Sequence, residues 1–275
     1  MGRILITGGT DGIGLETARQ LARRGATVDV HGRSAAKVAA VAAELGGGAA
    51  GHVADLTDLE AVRAMCAALR DRGAPIHVLV LNAGLFAKER VTTPDGRESS
   101  LAVNHDAHVL LVDELLGLAV RRVVVVSSVA HLRGRLVLGD LDWRDRPFDG
   151  YGAYAASKLA NAVYAAELAR RTPGVSVNSL HPGVITTKLL REGFQMDGYD
   201  SLTNGAATSV FLALDAPADL TGAYLAGSRV AAHNPAVDDR ALGAQFWDLC
   251  RARVGLPASS NPAAAGARAV REEFT

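Results

Sequence analysis

Residues 3–14 read R-I-L-I-T-G-G-T-D-G-I-G, a short apolar run that meets spaced glycines and then enters a segment with helical apolar spacing. A strand passing through a glycine turn straight into a helix limits the fold more than any other stretch of the chain. Gly8, Gly12 and Gly14 let the backbone turn tightly and approach a ligand. The new helix aims free N–H groups and its positive end at that turn, which suits a pyrophosphate. The spacing G-x-x-x-G-x-G differs from the G-x-G-x-x-G dinucleotide fingerprint. A glycine-rich turn without ligand is the plain alternative, and the surrounding pattern has to decide between them.

That pattern is an alternation. Apolar runs at 3–7, 27–31, 51–54, 76–81, 122–127, 175–180 and 223–226 are separated by helical spacing over 13–24, 35–45, 58–72, 99–118, 151–171 and 204–214. Alternating strands and helices predict an α/β, Rossmann-like doubly wound fold, with a mostly parallel seven-stranded sheet and helices on both faces. Runs such as V-V-V-V suit a strand buried on both sides. We expect a single domain over 1–257 and a loosely held Ala/Ser/Pro-rich tail over 258–275. Residues 131–150 break the rhythm, being polar and turn-rich, and read as an insertion.

Lys+Arg and Asp+Glu both number 29, so no overall field draws the chain to nucleic acid or an anionic membrane. The two cysteines, Cys66 and Cys250, form no metal or disulfide pattern, which predicts no metal site and fits a reducing cytoplasm. The opening residues lack the form of a signal peptide, and no apolar run reaches the length of a membrane span. The expectation is a cytoplasmic protein acting on small molecules.

The second strand ends V-D-V-H-G-R-S. An acid at that end would bind ribose hydroxyls, whereas an arginine would accept a 2′-phosphate. Arg33 and Ser34 stand there, and Asp29 lies inside the strand, so NADP(H) is expected over NAD(H). Asp11, in the turn itself, adds no positive charge. Further on, Y-A-A-S-K-L-A-N places Tyr154 and Lys158 four residues apart, on one face of a helix. A free phenol has a pKa of about 10, and a neighbouring ammonium should lower it toward a useful range.

These pieces together resemble the short-chain dehydrogenase/reductase family over nearly the whole chain. The glycine turn is there from Thr7 to Gly14, with Gly8, Thr10, Asp11, Gly12, Ile13 and Gly14 in it. Asp55-Leu56 match the family's D-L pair, whose Asp bonds adenine. Asn82-Ala83-Gly84 match N-A-G, which supports the sheet and lines the cofactor groove. Asn104 in L-A-V-N-H-D-A-H matches the active-site asparagine, Ser128 in V-S-S the catalytic serine, and Tyr154 and Lys158 the Y-x-x-x-K pair. N-S-L-H-P-G-V-I-T-T matches N-x-x-x-P-G-x-x-x-T, so Pro182, Gly183, Ile185 and Thr187 belong to the cofactor site, the last two at the nicotinamide carboxamide. V-N-H-x-x-H, S-S-x-A-H, S-K-L-A-N, H-P-G and Q-F-W-D-L-C look like the retinol dehydrogenase branch, which carries a similar insertion before its tyrosine. The branch's animal members often begin with a membrane anchor, a pattern this chain does not show.

The resemblance implies an oxidoreductase working on a ketone, aldehyde or alcohol. Tyr154 exchanges a proton with the substrate oxygen. Ser128 hydrogen-bonds that oxygen, and Ser127 is the rival serine. Lys158 bonds the nicotinamide ribose, and Asn104 holds a water linking Lys158 to solvent. His131 is expected to touch substrate, and His181 to line the cavity or pack. Asp113 and Glu114 are read as solvent or interface charges. Residues 188–203 read as a substrate lid, in which Leu189, Leu190, Phe194, Met196 and Tyr199 suit an apolar or aromatic substrate. Helices 99–118 and 151–171 form a dimer seam in the family, allowing a homodimer or homotetramer; the adjacent insertion allows a monomer instead. Two other readings stay open. A non-catalytic dinucleotide-binding regulator should lack Ser, Tyr or Lys, and an epimerase or dehydratase of the extended group should have other glycine spacing and a larger C-terminal region.

Overall fold

The computed structural model describes residues 2–195 and 197–257. Met196 of the expected lid and the expected tail 258–275 lie outside the described residues. The chain alternates β1 (Arg3–Ile6), α1 (Gly12–Arg23), β2 (Thr27–Gly32), α2 (Ala35–Leu45), β3 (Gly51–Val53), α3 (Leu59–Asp71) and β4 (Val78–Leu81). It continues through α4 (Ser99–Leu101), a π-turn (Ala102–Asp106), α5 (Ala107–Leu115), β5 (Arg122–Val126), α6 (Gly150–Arg171) and β6 (Ser176–His181). The last elements are α7 (Leu202–Val210) with a π-turn (Phe211–Asp215), β7 (Tyr224–Ala226), β8 (Arg229–Val230) and α8 (Arg240–Arg253).

The sheet order is β3-β2-β1-β4-β5-β6-β7-β8, eight strands rather than the expected seven. All neighbours are parallel except β7 and β8. The extra strand is only two residues long, too short to show a period. It exists because Gly227 and Ser228 both take positive φ, the conformation of a tight hairpin turn.

Strand side chains split cleanly between the two faces. Leu5, Leu79, Leu81, Val123 and Val125 join the core shared with α3, α5, α6 and α8. Ile4, Ile6, Val28, Val30, Val78, Val80, Val124 and Val126 join the core under α1, α2 and α7. This is the period-two alternation of a strand buried on both sides.

The helix expected over 99–118 is interrupted and ends at Leu115, and its π-turn holds Asn104. Segment 131–150 is bound to the body of the protein. Asp142 accepts from the Glu98 amide at 2.9 Å and from Arg253 of α8 at 2.9 and 3.0 Å. Helix α8 lies over α5 and α6, with Trp247 stacked on Tyr164 at 5.4 Å between ring centroids. Asp113 and Glu114, expected as solvent or interface charges, are intrachain partners: Asp113 pairs with Arg251 at 2.6 Å, and Glu114 with Arg63 and Arg70. Asp29 is fully enclosed between Arg3, Arg72 and His52, as its place inside β2 requires. Among the described residues no helix is long and apolar enough to cross a membrane.

Candidate active site

The glycine turn is held by the strand ends on both sides. Thr7 Oγ1 accepts from the Asn82 and Ala83 amides at 2.9 and 3.0 Å, while Asn82 Nδ2 donates to the carbonyls of Thr7 and Gly8. Gly8 takes φ +64°, and a Cβ there would come within 2.9 Å of Ala83 Cα, so this position needs glycine. Asp11 caps the start of α1, its carboxylate accepting from the amide of Gly12, which takes φ +52°. Two residues join this end that motif matching missed. His31 Nδ1 accepts from the Gly8 amide at 3.3 Å, and Lys37 Nζ lies 3.4 Å from Asp11. The signal for Lys37 was its place four residues after Arg33, in the first turn of α2. Arg33 and Ser34 are exposed at the end of β2, with Ser34 capping α2. Thr10 packs beneath Gly32.

This end fits the phosphates of a dinucleotide. It offers a backbone cradle at a helix N-terminus, and the cations Arg33 and Lys37 beside it where β2 carries no terminal acid. Farther along, Asp55 is exposed and accepts from the Thr57 amide and hydroxyl at 2.9 Å. The Leu56 side chain is in the core, so only its backbone is left to line the groove. Ile185 is likewise buried, packed on Gly205, and presents backbone only. Gly183 takes φ +102°, and a Cβ there would come within 2.8 Å of the Asp200 carboxylate, so this position suits glycine. Pro182 leads into that turn, and Thr187 reaches the glycine turn, its Cγ2 3.6 Å from a Cβ built at Gly12.

The remaining residues gather at the carboxyl end of β5. Ser127 is excluded as the reactive serine, because its hydroxyl is buried and donates to the Lys158 carbonyl at 2.7 Å. Ser128 starts the next turn, its hydroxyl accepting from the Ala130 amide at 3.2 Å, and is near enough to the Tyr154 phenol to lower it. Lys158 Nζ donates to the Val126 carbonyl at 3.1 Å and lies 5.7 Å from the centre of the Tyr154 ring. Gly84 separates Lys158 Nζ from Asn104 Oδ1, which would lie 3.4 and 3.2 Å from a Cβ there.

Asn104 engages both Nδ2 hydrogens and one Oδ1 lone pair within the protein, which leaves one Oδ1 lone pair for a water. Its Oδ1 accepts from the Leu85 amide at 2.7 Å, and its Nδ2 donates to the Leu85 carbonyl and to Ser157 Oγ. It clasps the chain after β4 to α6, and its own carbonyl pairs with His108 Nδ1 at 3.0 Å.

In the cofactor-free protein, burial dominates the electrostatics of this pair. Burial pushes Tyr154 up to about 12, partly opposed by the Ser128 hydrogen bond. Burial also pushes Lys158 down to about 8. Desolvation disfavours the charged form of each group, the phenolate and the ammonium alike.

Over this centre lies a small aromatic cluster of Phe86, Tyr154 and Phe194, with Ala130, Ala155 and Leu189. Phe194 is 5.3 Å from Tyr154 and 4.6 Å from Phe86, ring centre to ring centre. Leu189 and Phe194 are therefore brought to Tyr154, as expected. Phe86 was missed, though it comes only two residues after Gly84 of N-A-G. Tyr151 sits at the rim, 6.0 Å from Phe194, and Tyr199 is exposed. His131 is the clearest correction. It is buried, its Nδ1 is 2.7 Å from the Ser128 carbonyl, and its Nε2 accepts from the Asn234 amide. With both nitrogens engaged it supports the Ser128 turn and cannot reach a substrate. His181 is partly buried with Nδ1 unpartnered, and burial lowers it to about 4.

Comparison with known proteins agrees with this geometry. The short chain dehydrogenase family matches residues 3–198. Human retinol dehydrogenase 13 is 34% identical over 283 aligned residues, spanning 94% of this chain and 86% of that protein. A Streptomyces protein provisionally named daunorubicin C-13 ketoreductase is 37% identical over 265 residues, 92% of each chain. Among solved structures, a short chain dehydrogenase from Burkholderia cenocepacia in complex with NADP aligns with a TM-score of 0.66 at 28% identity, covering 82% of this chain and 95% of that one. The chain belongs to the short-chain dehydrogenase/reductase family of oxidoreductases and is similar to its retinol dehydrogenases.

Proposed function

We propose that the protein is an NADP(H)-dependent oxidoreductase that interconverts an apolar or aromatic ketone or aldehyde and its alcohol. The observation that carries this reading is the convergence of Ser128, Tyr154 and Lys158 at the end of β5, beneath Phe86 and Phe194. The cofactor supplies or accepts hydride at the substrate carbon. The substrate oxygen lies between the Ser128 and Tyr154 hydroxyls. In reduction Tyr154 gives its proton to that oxygen as the carbon takes hydride, and Ser128 stabilises the developing charge. Lys158 stabilises the phenolate left behind and returns a proton to it. In oxidation each transfer runs backward.

Arg33 and Lys37 support the phosphorylated cofactor, since a 2′-phosphate would meet cations at the end of β2. The Burkholderia relative was solved with NADP, which supports the same choice. Residues 1–257 act as one unit, and 188–203 is the lid whose Phe194 packs over Tyr154 in the form described here. The Streptomyces relative's name refers to a ketone, which supports carbonyl reduction.

The test is purified protein with NADPH and a panel of aryl ketones, aldehydes and alkyl ketones, followed at the cofactor's absorbance band. NADPH should be consumed, and Tyr154→Phe should abolish turnover while NADPH binding persists. Wild-type turnover in the phenylalanine variant would refute the proton-transfer assignment.

A further inference from the structure

A line of buried polar groups runs behind Lys158 and accounts for sequence features that the catalytic centre leaves unused. The Val126 carbonyl accepts two donors, Lys158 Nζ and Asn161 Nδ2, each at 3.1 Å. Asn161 Oδ1 is 3.1 Å from His105 Nδ1, and His105 Nε2 is 3.1 Å from Cys250 Sγ. These residues come from β5, α6, the π-turn and α8. Lys158, Asn161, His105 and Cys250 are all buried. Phe246 stacks on His105 at 5.2 Å, and Tyr164 meets it edge-on at 5.4 Å.

The donors can be ordered in one direction. Asn161 must turn Nδ2 toward the Val126 carbonyl, because Oδ1 there would face another acceptor. Oδ1 then needs a donor, so His105 carries its proton on Nδ1. Nε2 is left as an acceptor, and the Cys250 thiol is the group that donates to it. The protonation states agree: burial lowers His105 to about 4 and raises the Cys250 thiol, so a neutral ring and a neutral thiol prevail.

We propose that Asn161 is a positioning residue for Lys158, sharing the Val126 carbonyl with its ammonium, and that His105 and Cys250 fix the direction of that amide. The proposal rests on the oxidoreductase reading for its kinetic consequence, while its geometry stands apart from it. By taking part of the carbonyl's acceptor capacity, Asn161 weakens the hold on the ammonium, which must serve Tyr154. The other polar groups around Nζ are Tyr154 on the same helix, Asn104 across Gly84 and His108 beyond it. Replacing Asn161 leaves those three in place.

Asn161→Leu keeps the volume and removes the shared donor. Its Lys158 amine, followed by nitrogen NMR in the cofactor-free protein, should gain about threefold to tenfold in proton affinity, the weight of one buried hydrogen bond. Its kcat for NADPH-dependent reduction should fall by a similar factor, with KM for the carbonyl unchanged. In the wild type, imidazole nitrogen shifts should show the Nδ1–H form of His105. Cys250→Ala should lose that preference and lower kcat, and Cys250→Ser, which restores a donor, should recover both. A purely structural cysteine would give the opposite order, since serine buries a hydroxyl where alanine does not. An Nε2–H form of His105 in the wild type overturns the proposal even if every variant fails to fold. So does a folded Asn161→Leu protein with unchanged Lys158 titration. If the wild type reduces no carbonyl, the functional reading fails, and the two NMR results still decide this proposal.

Discussion

Replacing Arg253 by methionine tests the strongest tertiary link between α8, the π-turn and segment 131–150. Arg253 donates to Asp106 at 2.9, 3.2 and 3.3 Å and to both oxygens of Asp142 at 2.9 and 3.0 Å. Asp106 is fully enclosed, and without Arg253 it keeps Arg97 at 3.2 Å as its remaining cation. A charge pair at this separation is worth about 4 kcal/mol at an effective dielectric of 20, before desolvation is set against it. Removing one partner of a buried pair costs about 3–5 kcal/mol, because the other charge is left uncompensated. Methionine keeps most of the stem's packing, so the loss reports charge and hydrogen bonding rather than a cavity. Urea unfolding near neutral pH measures it as a lower midpoint at unchanged slope. Asp142→Asn, which leaves Asp106 paired, should lose distinctly less. The acid dependence has a definite sign. Burial alone would raise the Asp142 carboxyl, but Arg253 holds it below its ordinary 3.8. The stability it contributes is therefore complete above about pH 4 and is lost as the pH falls through the depressed folded value. Arg253→Met should flatten that part of the acid profile. A stability within 1 kcal/mol of wild type, taken as about the error of the comparison, would refute the reasoning.

The remaining expectations concern cofactor choice, substrate and assembly. Arg33→Ala and Lys37→Ala should each raise KM for NADPH about tenfold and leave KM for NADH nearly unchanged, as expected when one charge-assisted phosphate contact is lost; equal changes for both cofactors would remove these residues from the phosphate site. Phe194→Ala and Phe86→Ala should raise KM for aryl ketones about threefold to tenfold, the weight of one aromatic contact, with NADPH affinity constant. Unchanged aryl-ketone kinetics in both variants would separate the cluster from substrate binding. Because α8 and segment 131–150 occupy the outer side of α5 and α6, light scattering of the purified protein should give the mass of one chain, and a dimer at micromolar concentration would contradict that reading.

Much of this arrangement was legible before any coordinates. Alternating strand and helix spacing implied a parallel sheet, because each apolar run must be covered on both faces. The glycine positions, Ser128, Tyr154 and Lys158 fall where the order of elements placed them. Local pattern failed where one side chain's fate depends on distant partners. His131 looked like a substrate contact, and Asn234, about a hundred residues away, fills its second nitrogen. Asp113 and Glu114 looked like surface charges until Arg251, Arg63 and Arg70 were brought to them. Phe86 and Lys37 sat two and four residues from recognised positions, Gly84 and Arg33, without a periodic signal of their own.

By itself, then, the amino-acid sequence determined the layered α/β plan and the chemical types gathered at the end of β5. Both follow from short-range rules: side-chain alternation, glycine turns and helical spacing act within a few residues. Only the tertiary structure decided the protonation balance of Tyr154 and Lys158, the commitment of Asn104 to Leu85 and Ser157, and the line from Cys250 to Val126. Those properties depend on how completely water is excluded and on which donors arrive from elements far apart in the chain, and no local spacing encodes either.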